Sequence, residues 1–113
     1  MKVIIAGSRD IHSHIAVYDA IIASGFEITE VVSGGCLGVD SIGERWAKNN
    51  SIPIVRFPAN WNLHGRAAGP KRNSEMAMYA DALIAIHHNG SRGTANMIMK
   101  AKSNGLKVFV VDL

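Results

Sequence analysis

Val3-Ile4-Ile5-Ala6-Gly7-Ser8-Arg9 holds the pattern on which the rest of the chain is built. The apolar run is too short and too β-branched for a helix, so with Met1 and Lys2 it reads as a buried strand that Gly7 ends. The same succession returns twice. Glu30-Val31-Val32-Ser33 leads into Gly34-Gly35-Cys36-Leu37-Gly38-Val39-Asp40, and Ala82-Leu83-Ile84-Ala85-Ile86 precedes Gly90-Ser91-Arg92-Gly93-Thr94. The triplet Gly-Ser-Arg thus occurs in both the first and the last of these turns. In a parallel α/β sheet such turns gather at the carboxyl edge, where backbone N–H groups and helix N-termini hold anions.

Between the strands, apolar residues recur at helical spacing. Ser13 is positioned to cap a helix that Gly25 stops, with Ile15, Tyr18, Ile21 and Ile22 as the face expected to pack on the sheet. A second helix, Val39 to Asn49, carries Val39, Ile42 and Trp46 on one side, and Asn49-Asn50 ends it. Ile54-Val55-Arg56-Phe57 is a third strand. Ala59 to Pro70, with Trp61, His64 and Arg66, reads as a polar loop of about a dozen residues, a length at which loops tend to be functional. Helices from about Lys71 to Ala80, with Met76 and Tyr79 inward, and from Thr94 to about Ser103, with Met97, Ile98 and Ala101 on one face, complete the alternation. Asn104-Gly105 closes the last, and Val108-Phe109-Val110-Val111 is the fifth strand. This alternation predicts an α/β domain over residues 1–113: an open parallel sheet of five strands, about four helices on both faces, and the strand order 3-2-1-4-5. In that order the first and fourth strands are neighbours, and Gly7-Ser8-Arg9 and Gly90-Ser91-Arg92 flank the crevice at the switch point.

Composition narrows the partners. The 113 residues suit one domain, and the net charge of +3 favours anionic ligands without the basic stripe of a dedicated nucleic-acid binder. A single cysteine, Cys36, cannot build a disulfide framework or a cysteine-based zinc site, which fits a reducing cytoplasm. The N-terminal apolar run is far short of the roughly 20 residues of a membrane span. A cytoplasmic protein without membrane association is expected.

The turns carry the candidate chemistry. Gly34-Gly35-Cys36-Leu37-Gly38 is neither a dinucleotide fingerprint nor a Walker loop, which disfavours a standard NAD enzyme or ATPase. Gly34, Gly35 and Gly38 still allow close backbone approach to a ligand, or serve simply as a tight connection. Asp40, in the first turn of its helix, either interacts with the helix dipole or accepts hydrogen bonds from ribose hydroxyls. Arg9 and Arg92 reach a ligand, or else pair with Asp10 and Asp40. Ser91, Gly93 and Thr94 offer a phosphate cradle at a helix start, where Thr94 also suits an N-cap. Arg72 clamps a phosphate or marks a solvated helix start, with Asn73 and Glu75 in the same turn. Trp61 stacks on a base or pins its loop. The histidines show no metal-ligand spacing and no evident carboxylate partners, and no metal or cofactor is expected. Cys36 reads as a small buried residue rather than a nucleophile.

Taken in order, Gly7-Ser8-Arg9, Ser33 to Asp40, Pro58-Ala59-Asn60-Trp61, Gly65, Ala68 to Met76, Asp81-Ala82-Leu83 and Ser91-Arg92-Gly93-Thr94 resemble the small stand-alone SLOG-type proteins. That superfamily joins the DNA-processing protein DprA (Smf) with the Lonely guy (LOG) phosphoribohydrolases. The resemblance implies a Rossmann-like fold whose glycine loops bind nucleotides or nucleotide-derived ligands, in proteins of bacteria and their phages that commonly form homo-oligomers. The LOG enzymes split the N-glycosidic bond of a nucleoside monophosphate. Their paired glycine motifs are similar to Gly34-Gly35 to Gly38 and to Gly93-Thr94, and their Arg-Lys-x-x-Met segment resembles Arg72 to Met76, so Arg72 inherits the arginine's role. Their catalytic glutamate falls at Met97, and a thioether takes no proton from water. Asp40 and Glu75 are the carboxylates left to substitute. The resemblance therefore implies a nucleotide-binding sensor, sequestering or regulatory domain first, an N-glycosidase second, and a DNA-binding module third.

Overall fold

The computed structural model describes residues 1–113. Its elements run β1 (Lys2–Gly7), α1 (His14–Ser24), β2 (Glu30–Ser33), α2 (Val39–Asn49), β3 (Ile54–Arg56), α3 (Trp61–His64), a 3-10 turn (Gly65–Ala67), α4 (Ala68–Tyr79), β4 (Ala82–His87), α5 (Arg92–Ser103) and β5 (Lys107–Asp112). The five strands form one parallel sheet in the order β3-β2-β1-β4-β5, the order predicted from the alternation. The fold is α/β and Rossmann-like.

Strand geometry sends alternate side chains to opposite faces, and the core divides accordingly. Val3, Ile5, Val31, Ile84 and Ile86 pack with α1 and α2, whereas Ile4, Ala6, Val32, Leu83 and Ala85 pack with α4 and α5. Strands buried on both faces explain why the β1 and β4 runs are continuously apolar rather than alternating. Ile4, Ile5, Ile84 and Ile86 are fully enclosed, each contributing about 1.5–3 kcal/mol by removal from water.

Two local expectations change. In α1 the buried residues are Val17, Ala20 and Ile21, while Ile15 and Ile22 are 74% and 75% exposed. The helix is apolar on several sides, so spacing alone did not select the stripe that meets the sheet. The segment from residue 59 to 70 is not a loop but mostly helical. Asn60 caps α3 by accepting a hydrogen bond from Leu63 N–H at 3.1 Å. Pro70 falls in the first turn of α4, where its missing N–H has no intrahelical partner to lose. The ends of α1 follow the sequence: Ser13 Oγ accepts from Ala16 N–H at 3.2 Å, and Gly25 takes the left-handed conformation at φ 69°.

The switch point lies between β1 and β4, where Gly7 pairs with Ile86. A side chain on Gly7 would collide with the Ile86 carbonyl oxygen and with Val39. Only glycine lets the chain turn here while Ser8 N–H donates to Ile86 O at 3.1 Å. No helix is long and apolar enough to cross a membrane.

Candidate functional site

The carboxyl edge of the sheet opens into a cleft of about 750 Å³. Three turns and the start of α4 surround it. The β1–α1 turn contributes Gly7, Ser8, Arg9 and Asp10; the β2–α2 turn contributes Cys36 and, from α2, Asp40; α4 contributes Gly69, Pro70, Arg72, Asn73 and Met76; and the β4–α5 turn with α5 contributes His88, Ser91, Arg92, Gly93, Thr94, Asn96 and Met97. Trp61 stands at its rim, half-exposed.

Arg72 and Asp40 form the floor. Both are almost fully buried, which isolated charges do not tolerate without partners. Arg72 donates from Nη1 to Gly34 O at 2.8 Å and from Nε to Asn73 Oδ1 at 3.0 Å, so it ties α4 to the β2–α2 turn. It is not a solvated helix start. Asn73 extends the connection by donating to Asn96 Oδ1 at 3.0 Å, which fixes α4 against α5. Gly34 packs so closely that a Cβ there would lie 2.6 Å from Arg72 Nη1 and 2.9 Å from Asp40 Oδ2. Burial pushes the Asp40 carboxyl up to about 6, against the opposing pull of the Cys36 amide, the Arg72 guanidinium and the Gly7 amide.

Cys36 is half-buried and lines the cleft. Its Sγ lies 3.9 Å from Arg72 Nη2 and 4.0 Å from Arg9 Nη2. It is therefore more accessible than the small core residue anticipated. Arg9 pairs with neither Asp10 nor Asp40, and it and Arg92 are exposed at the cleft wall. On the α5 side, Ser91 precedes the helix without a side-chain capping bond, and Thr94 Oγ1 donates to Ser91 Oγ at 3.1 Å. The N-terminal amides of α5 are thus free of side-chain caps where the cleft meets them.

Of the residues singled out from sequence, the cleft brings together Gly7, Ser8, Arg9, Asp40, Arg72, Asn73, Ser91, Arg92, Gly93 and Thr94. Gly34 stands behind Arg72. Gly35 is exposed at the turn, and Gly38, at φ 76°, packs under the backbone of Ser8 and Arg9. Glu75 is exposed on α4 and does not line the cleft. Met97, 1% exposed, gives the cleft a thioether wall. Of the five histidines, which showed no evident carboxylate partner in sequence, two find one: His87 Nε2 lies 2.6 Å from Asp112 Oδ1, and His88 Nε2 lies 2.6 Å from Asp10 Oδ1. These contacts escape sequence reading because they join the ends of separate strands, 78 residues apart for His88 and Asp10. The short imidazole hydrogen bond holds the exposed Asp10 carboxyl below the usual carboxylate range.

Comparison with known proteins adds three findings. Residues 1–64 match the family described as YAcAr: YspA, cpYpsA-related SLOG family. The Gene 61 protein of Mycobacterium phage D29 is 32% identical over 118 residues, spanning 96% of this chain and 94% of the phage protein. The X-ray structure of DNA processing protein A (DprA) from Streptococcus pneumoniae aligns with a TM-score of 0.76 at 19% identity. That alignment takes in 96% of this chain and 49% of the DprA chain, so the domain spans about half of it, and the likeness is one of fold.

Proposed function

The chain belongs to the YspA, cpYpsA-related SLOG family, and from that premise we propose that its cleft binds a nucleotide or nucleotide-derived ligand, as a sensing, sequestering or regulatory domain. The observation that carries this reading is the floor of the cleft, where a buried arginine and a buried carboxylate stand together below turns rich in backbone N–H groups. Arg9, Arg72 and Arg92 supply positive charge, and Ser91, Gly93 and Thr94 place the start of α5 against a phosphate. Asp40 suits ribose hydroxyls, which donate to it without bringing a second negative charge. Trp61 at the rim offers a surface for a base.

Met97 weighs against glycosidic hydrolysis by the LOG route, because the cleft wall there has no group able to handle a proton. Binding is tested by thermal-shift titration of the purified protein with nucleoside monophosphates, ADP-ribose, NAD and cyclic dinucleotides. A ligand at 100 times its Kd stabilises the native state by about 2.7 kcal/mol, a rise of about 10 °C in Tm for a domain of this size. Folded, ligand-free protein that shows no shift with any of these compounds would refute the reading.

A further inference from the structure

The pair formed by His88 and Asp10 is not used by nucleotide binding as described above. It is nonetheless built with care at the switch point. The parallel pairing of β1 and β4 delivers the two turns side by side. Ser8 N–H is fixed to Ile86 O, Ser8 Oγ accepts from His88 N–H at 3.2 Å, and His88 Nε2 meets Asp10 Oδ1 at 2.6 Å. The imidazole is therefore held at its backbone and at one ring nitrogen. In the tautomer that gives Nε2–H to the carboxylate, Nδ1 is the ring nitrogen with a lone pair for a proton. Both residues line the cleft.

We propose that His88, positioned by Asp10, is the general base for hydrolysis of a phosphoanhydride bond in a nucleotide held in the cleft. This rests on the reading that a nucleotide occupies the cleft. The bond follows from the surroundings. Arg9 adjoins Asp10 in sequence, and Arg92 and the start of α5 follow His88 in the same turn, so the dyad stands with the groups that suit phosphate. Asp40, the carboxylate suited to ribose, stands with Arg72 instead. The charged and titratable groups around the dyad are Arg9, Arg92 and His12, together with Asp10 itself, which the imidazole holds ionised. None of these is a neutral carboxylic acid, and Asp40, which lines the same cleft, is engaged in the floor with Cys36 N–H and Arg72 and is assigned to ribose, so no group is left to protonate a departing alkoxide. A phosphate leaving group needs no such proton, and a phosphoanhydride supplies one.

In the step, a water oxygen bonds to phosphorus as the bridging P–O bond breaks, and the bond's electron pair leaves on the phosphate oxygen of the departing group. The water proton passes to His88 Nδ1, and Asp10 stabilises the imidazolium until the proton is released to solvent. Arg9 and Arg92 offset the charge that gathers on the phosphoryl oxygens.

The test uses the full chain with ADP and NAD as probes, following products by phosphorus NMR and binding by calorimetry in the same buffer. Expected are AMP and phosphate from ADP, or two mononucleotides from NAD. His88→Gln keeps a hydrogen bond to Asp10 but offers no base. It should lower turnover by at least about 100-fold with affinity changed less than about threefold. Asp10→Asn should lower kcat and leave KM in place, a split that loss of fold would not produce. Binding without turnover by the wild type, or full turnover by His88→Gln, overturns the inference and leaves the binding reading standing. Absence of binding by both probes overturns the inference for these substrates, and the wider thermal-shift series then decides the binding reading. Should His88→Gln fail to fold, wild-type turnover and the Asp10→Asn split decide the matter.

Discussion

Replacing Asp40 by Asn should stabilise the protein at alkaline pH and lose that advantage in acid. Asp40 is buried, and burial raises its carboxyl from an ordinary 3.8 to about 6 despite the nearby Arg72 and the amides of Cys36 and Gly7. The folded state therefore holds a proton that the unfolded chain gives up. Any contribution of the neutral carboxyl is fully present below pH 3.8 and is lost as pH rises through about 6. At about 1.4 kcal/mol per pH unit, the difference of about 2 units costs the wild type about 3 kcal/mol at pH 8, of which about 0.5 is already felt at pH 4. Asparagine stays neutral throughout, so its stability relative to wild type should improve by about 2.5 kcal/mol between pH 4 and pH 8. Urea unfolding of both proteins at several pH values, with equal m-values as the control, measures this directly. Groups common to the two proteins cancel in the difference. A gap independent of pH, or one that moves against Asn as pH rises, would show that Arg72 and the α2 N-terminus favour the charged carboxylate more than burial opposes it.

Three further outcomes follow from the same geometry. Arg72→Ala should cost about 3 kcal/mol by thermal or urea unfolding, because it leaves Asp40 without its cation and Gly34 O without its donor, and it should also weaken nucleotide binding by calorimetry. Gly38→Ala places a Cβ against the carbonyls of Ser8 and Arg9 at φ 76°, and should lower stability by more than about 1 kcal/mol, read as a fall in the urea midpoint. Ile22→Gln, on the outward side of α1, should change stability by less than about 0.5 kcal/mol, whereas Ile21→Ala should cost about 2–5 kcal/mol; reversal of that pair would mean the helix packs by its other face.

The sheet was legible because its strands are short apolar runs, the first two ended by glycine turns that cannot continue them, and because right-handed crossovers leave few orders to choose from. Gly7 marks the switch point for a reason visible only in space: the Ile86 carbonyl occupies the room a side chain would need. The facing side of α1 was not legible, since Ile15, Val17, Ile21 and Ile22 present more than one apolar stripe. Pro70 and Gly65 made residues 59–70 look irregular, although proline in a first helical turn costs nothing. Most of the residues gathered in the cleft were visible as turn residues. Their division of labour was not. Arg72 reads in sequence as a phosphate clamp or a solvated helix start, and only its bonds to Gly34 and Asn73 show it to be a buried brace. The meeting of Asp10 with His88 depends on strand pairing and has no local signature.

The most direct test of the nucleotide-binding account is an amide NMR titration of the folded, ligand-free protein with AMP and ADP. Saturable shifts concentrated at Gly7 to Asp10, at Cys36, and at Ser91 to Thr94, and abolished by Arg72→Lys in protein that still folds, are the predicted result. Binding that perturbs a different face, or an unperturbed spectrum at millimolar nucleotide, would contradict it.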